Sequence, residues 1–125
     1  MDSPGEPRRL EAAPLASAVF DAIWRTLVDI LGAPTATTVV RRSARNASEE
    51  RPTLGQLSIR RAALDYETEV PRAWREASGD GLRDVEALSR ELCIVLQQLT
   101  GVLVLRALND HPSLRTLGWF LSEDR

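Results

Sequence analysis

His111 and Cys93 are the only histidine and the only cysteine in a chain of 125 residues, and they bound the catalysis the sequence can offer. A general base needs an orienting partner, and such partners normally converge from different parts of a fold. His111 sits between Asp110 and Pro112 at the end of a helical stretch, where an imidazole suits the negative end of a helix dipole. Adjacent Asp and His do not by themselves form an orienting pair. Cys93 has Leu92, Ile94 and Val95 for neighbours, whereas a reactive thiol wants a basic, partly exposed setting. It reads as core filler. One cysteine excludes an intramolecular disulfide, and the carboxylates show no calcium-loop spacing. Gly79 and Gly81 form a G-x-G fragment, but residues 71–78 ahead of it do not read as a core strand, so no phosphate loop is expected. The expectation is a non-enzymatic protein with no catalytic residue, no metal ligand and no cofactor.

The charged residues are more informative. All sixteen basic residues are arginines, and the net charge of −2 conceals a segregation. Residues 41–61 hold six arginines (Arg41, Arg42, Arg45, Arg51, Arg60, Arg61) against Glu49 and Glu50. Residues 65–91 hold eight acids against four arginines. Arg41 and Arg45 lie one helical turn apart with Arg42 beside them. Asp65, Glu67 and Glu69 alternate with Tyr66 and Thr68, which on a strand makes an acidic stripe with about 6–7 Å per step. Arg41, Arg42, Arg45, Arg60, Arg61, Asp65, Glu67, Glu69 and Trp74 are therefore the candidate partner-binding residues, Trp74 as a hot-spot anchor. Basic residues on a helix after a tight turn also imitate a helix-turn-helix. The acidic overall balance and the absence of lysine place nucleic acid behind protein as the partner.

The elements that must position these groups follow from periodicity. Leu15, Val19, Ile23, Leu27 and Leu31 repeat at helical spacing, with Gly32 as a stop, predicting a helix at about 15–31. A second, thinner stripe (Ala36, Val40, Ala44, Ala47) predicts a helix at about 35–47. The period then changes to two, predicting an antiparallel hairpin at about 56–70, with Leu57 opposite Tyr66 and Ile59 opposite Leu64 across four loop residues. Ser78 to Gly81 reads as a break. Val85, Leu88, Leu92, Val95, Leu99 and Val102 then form one seam, and from Cys93 the other side is apolar too (Ile94, Leu96, Leu103, Val104, Leu105). This predicts a helix at about 82–109, covered on most sides over 92–105 by the first helix, the hairpin and the last helix or by another copy of the chain. Gly101 is either tolerated within it, at about 1 kcal/mol, or ends it. A last helix is expected at about 114–121, capped by Ser113.

The fold class is mainly α with one β-hairpin, an α+β arrangement packed around the 82–109 helix. Residues 1–13 read as a flexible tail and 14–125 as one globular domain. The longest apolar run is far below the ~20 residues that span a bilayer, and residues 1–14 lack a signal-peptide core, so a cytoplasmic address and no membrane partner are expected. The order helix, Leu31-Gly32, helix, hairpin resembles the openings of some bacterial small-molecule sensor domains of the vinyl-reductase-like and haem-based nitric-oxide groups. It carries no specific motif and implies no ligand set here. The expected function is that of a bacterial regulatory or adaptor protein acting through protein–protein contacts as a homodimer. Small-ligand sensing or nucleic-acid binding through Arg41, Arg42 and Arg45 is the alternative.

Overall fold

A computed structural model of the chain describes residues 15–63, 65–76 and 79–120. The expected tail at 1–13 lies outside the described residues. Helix α1 spans Ala16–Leu31 and α2 Ala33–Ala47. A 3-10 turn, Pro52–Gln56, leads into strands β1 (Ser58–Ala62) and β2 (Asp65–Glu69). A second 3-10 turn, Arg72–Arg75, precedes α3 (Gly79–Thr100), α4 (Leu103–Asp110) and α5 (Pro112–Arg115). The described residues are mostly helical, with one antiparallel hairpin.

The first two helices are separated by Gly32 alone, at φ 87°, a backbone state that residues with a Cβ rarely take. Its N–H donates to Val28 O at 2.9 Å, and its carbonyl accepts from Ala36 N–H at 2.9 Å, so one residue closes α1 and opens α2. The buried face of α2 is built from small side chains, including Ala36, Ser43, Ala44 and Ala47, which lets it pack closely along α3. Ala16 lies against Gly81, and Glu50 and Arg51, just past α2, pair with Arg90 and Asp84, so α1 and α3 start side by side and α2 runs back towards the start of α3.

The break expected at Ser78 to Gly81 is instead, from Gly79 onward, the first turn of α3. A Cβ at Gly81 would stand 3.0 Å from Ala16 Cβ, 3.2 Å from Trp74 Cα and 3.3 Å from Ala73 O. The glycine is there because three backbones meet closely, not because the chain stops.

The single helix expected over 82–109 is two. Gly101 takes φ 68° and separates α3 from α4, which folds back against α1 and α3. Coverage of 92–105 is also one-sided. Leu92, Leu96, Val104 and Leu105 are buried, but Ile94, Leu99 and Leu103 are 51%, 62% and 71% exposed. Bending at Gly101 points one side of each helix at the core and leaves the other in water. The last helix is likewise shorter than the expected 114–121. It ends at Arg115, and Gly118, at φ 72°, turns the chain so that Phe120 enters the core. Its cap is His111, whose Nδ1 accepts the Ser113 N–H at 3.1 Å, rather than Ser113 itself.

In the hairpin, Ile59 stands opposite Thr68 rather than Leu64, and Tyr66 opposite Arg61 rather than Leu57. Pairing continues to Ala62↔Asp65 across a two-residue turn, with Ala63 at φ 43°. Ala63 supplies the positive φ that tight hairpins need, so no Gly or Asn marks the turn. The shift is by an even number of residues, so the described side chains of both strands keep their expected faces. Ile59 points inward and is buried, with Tyr66 and Thr68 half-buried on the same face.

Candidate functional site

The exposed side of α2 carries Thr38, Arg41, Arg42, Arg45 and Asn46, which line a shallow surface depression. Arg41 and Arg45 share the edge nearest the hairpin, as their spacing requires. Arg41 reaches across and donates from Nη2 to Ile59 O. Pair parity explains why that oxygen is available. The closing pair Ala62↔Asp65 of a two-residue hairpin exchanges hydrogen bonds, so Ile59↔Thr68 and Arg61↔Tyr66 direct their backbone groups away from the partner strand. The Tyr66 N–H, also directed outward, is taken by Asp65 Oδ1 at 2.8 Å. Arg41 thus ties the hairpin to the helical body.

Between α2 and the segment running into β1 lies a groove of about 400 Å³. Arg41, Arg45 and Ser48 form one wall, and Leu54, Leu57 and Ile59 the floor and opposite wall. Leu54 is 1% and Ile59 4% exposed, so the floor is part of the hydrophobic core. No carboxylate lines the groove among the described residues. Arg42 and Arg45 are exposed and have no acidic side chain within 4 Å among the described residues.

On the outward face of the hairpin, Asp65, Glu67 and Glu69 form the expected stripe with Ser58 and Arg60 between strands. Arg60 Nη2 pairs with Glu67 Oε1 at 3.2 Å. Asp65 and Glu69 have no cationic partner within 4 Å among the described residues. Arg61 lies on the other face, opposite Tyr66, and is exposed.

Trp74 does not join this surface. Its side chain is 0% exposed and packs at 5.7 Å between ring centroids against Phe20, so the expected hot-spot anchor is a core residue. Helix α3 and the second 3-10 turn enclose it. Its indole N–H donates to Asp84 Oδ2 at 3.0 Å, and Asp84 Oδ1 accepts from Arg51 Nε at 2.8 Å. Arg51 also donates to Asp80 O at 3.3 Å. The hydrogen bond to Asp84 raises the Arg51 pKa above its ordinary value despite the opposing effect of partial burial, with the nearby charges of Asp84, Asp80 and Glu50 adding to it. This partly buried clamp joins the loop after α2, the second turn and α3. In the sequence Asp84 is one of the eight acids of residues 65–91, and no local signal distinguishes it from Glu86. The groove lining at Leu54 and Gly55 carries no sequence signal, because those residues fall between the expected helix at about 35–47 and the expected hairpin at about 56–70.

The two residues considered for catalysis have structural partners. His111 Nδ1 is engaged as the α5 cap, and Asp110 approaches Arg115 at 3.9 Å. Cys93 is half-buried, its Sγ 3.7 Å from Trp119 O, and burial pushes its thiol pKa up. No group of three His, Cys, Asp or Glu side chains among the described residues is arranged to hold a metal ion. No described helix is long and apolar enough to cross a membrane.

No protein-family model, curated protein or solved structure matches the chain.

Proposed function

We propose that this chain is a non-enzymatic regulatory or adaptor protein that acts in the cytoplasm through protein–protein contacts and associates as a homodimer. One observation carries the reading. Two exposed faces of opposite sign, Arg42 and Arg45 on α2 and Asp65 and Glu69 on the hairpin, hold charges that no described side chain compensates. Sign-segregated faces steer and register partners more than they stabilise a fold. When both belong to one chain, a two-fold axis can match each with its complement on a second copy, closing the assembly without leaving a free end. A nucleic-acid duplex fits less well, because the acidic hairpin face beside α2 would meet its phosphates.

Mass measured by light scattering in about 0.1 M and about 1 M salt tests this, since the screening length falls from about 10 Å to about 3 Å. A dimer at low salt that dissociates at high salt is the expected result. Arg42→Glu should give a monomer, and adding Asp65→Arg with Glu69→Arg should restore the dimer. A monomer under both conditions would overturn the homodimer.

A further inference from the structure

We propose that the groove between α2 and β1 is a docking site for a short acidic peptide segment that packs one apolar side chain against Leu57. The proposal rests on the reading of the α2 face as a protein-contact surface and states what kind of partner that surface selects. Charge defines the first half of the ligand. Arg41 and Arg45 stand on one wall, and no described carboxylate lines the groove to neutralise them. An anionic group entering there meets guanidinium forks, which suit carboxylates in particular. The floor defines the second half. Leu54 and Ile59 are almost wholly enclosed, so the apolar surface open to a ligand is that of Leu57, half-buried at the core's margin. A bare polyanion would leave it wet and an aliphatic side chain would cover it. At about 400 Å³ the groove is at the small end of ligand pockets, room for a few residues rather than a folded surface.

The same features argue against single-stranded nucleic acid. Such sites stack bases on aromatic rings, and no aromatic side chain lines this groove. Arg45 is the free donor here, because Arg41 already holds Ile59 O. Arg45 is therefore the side chain through which charge and recognition can be separated from folding.

Fluorescence anisotropy of two labelled pentapeptides, Asp-Glu-Leu-Asp-Glu and Asp-Glu-Gly-Asp-Glu, against the full chain in about 0.1 M salt tests this. A labelled single-stranded oligonucleotide serves as a third probe. The leucine peptide is expected to bind at least 5-fold more tightly than the glycine peptide. Arg45→Glu should weaken both peptides 10-fold or more. Leu57→Ser should erase the difference between them while leaving the glycine peptide unchanged, with circular dichroism verifying that both variants fold. Equal affinity for the two peptides, indifference to Arg45→Glu, or tighter binding of the oligonucleotide would overturn the groove assignment. Because Arg45 also belongs to the charged face of the proposed dimer, the mass of each variant is measured beside its peptide affinity. Leu57→Ser leaves the charged dimer face intact, so its effect on the two peptides tests the groove alone, while the Arg42 variants test the dimer.

Discussion

The indole N–H of Trp74 donates to Asp84 at 3.0 Å, and both residues are buried. With Arg51 on the other carboxylate oxygen, the pair locks the long connection between α2 and α3 at both of its ends. The apolar side of the groove and the acidic hairpin are carried on that connection, while Arg41, Arg42 and Arg45 stand on α2. Asp84→Ala would leave the indole donor unsatisfied in the interior, at a cost of about 1–3 kcal/mol. Urea denaturation should show a lower midpoint with an unchanged slope.

Three glycines make a graded test of packing against conformation. Gly81→Ala forces a methyl against Ala16, Trp74 and Ala73, and should cost about 1–3 kcal/mol by overpacking. Gly101→Ala meets no atom within 4 Å but must hold φ 68°, so about 1–2 kcal/mol is expected from backbone strain alone. Gly55→Ala has neither obstacle and should lie within about 0.5 kcal/mol of wild type. Thermal melts of the three variants give the ranking.

Arg41→Ala should loosen the hairpin without unfolding the helices, since its guanidinium is the tether to Ile59 O. Amide hydrogen exchange is expected to accelerate across residues 58–69 and to change little in α3. Equal acceleration in both would contradict a local tether.

The apolar residues around Gly101 should divide sharply. Leu96→Ala removes a fully buried side chain and should cost about 2–5 kcal/mol. Leu103→Gln, at a position 71% exposed, should shift stability by no more than about 0.5 kcal/mol. Chemical denaturation of the two variants decides it.

Cys93 should alkylate more slowly in the folded chain than after denaturation, because burial raises its pKa above the ordinary 9.0 and reduces the thiolate present at any given pH. The folded state holds the proton to higher pH than the unfolded state. The thiol therefore costs nothing below the ordinary value, and stability falls as pH rises through and above it. Cys93→Ser should flatten that alkaline decline in urea midpoints.

Helix content, the existence of the hairpin and the face on which each hairpin residue lies were legible in the sequence, because they depend on periods of 3.6 and 2 that side chains carry locally. The hairpin's register was not. Alternation repeats every two residues, so pairings that differ by an even step satisfy it equally, and only the conformation at Ala63 with the seating of Ile59 chooses among them. The exposed arginines 41, 42 and 45 and the acids 65, 67 and 69 were likewise legible as charge blocks, since their positions on one helix and one strand follow from spacing alone.

Tertiary structure decided the rest. Asp84 and Glu86 look alike in sequence, yet Asp84 is 2% exposed because Trp74 and Arg51 arrive from other segments to take its two oxygens. Trp74 could have been a surface anchor or a core ring until Phe20 and α3 enclosed it. Gly101 could have continued a helix or ended one. The bend there turns Leu96 inward and leaves Leu103 outside, since burial depends on which neighbours a side chain meets and not on its own hydrophobicity.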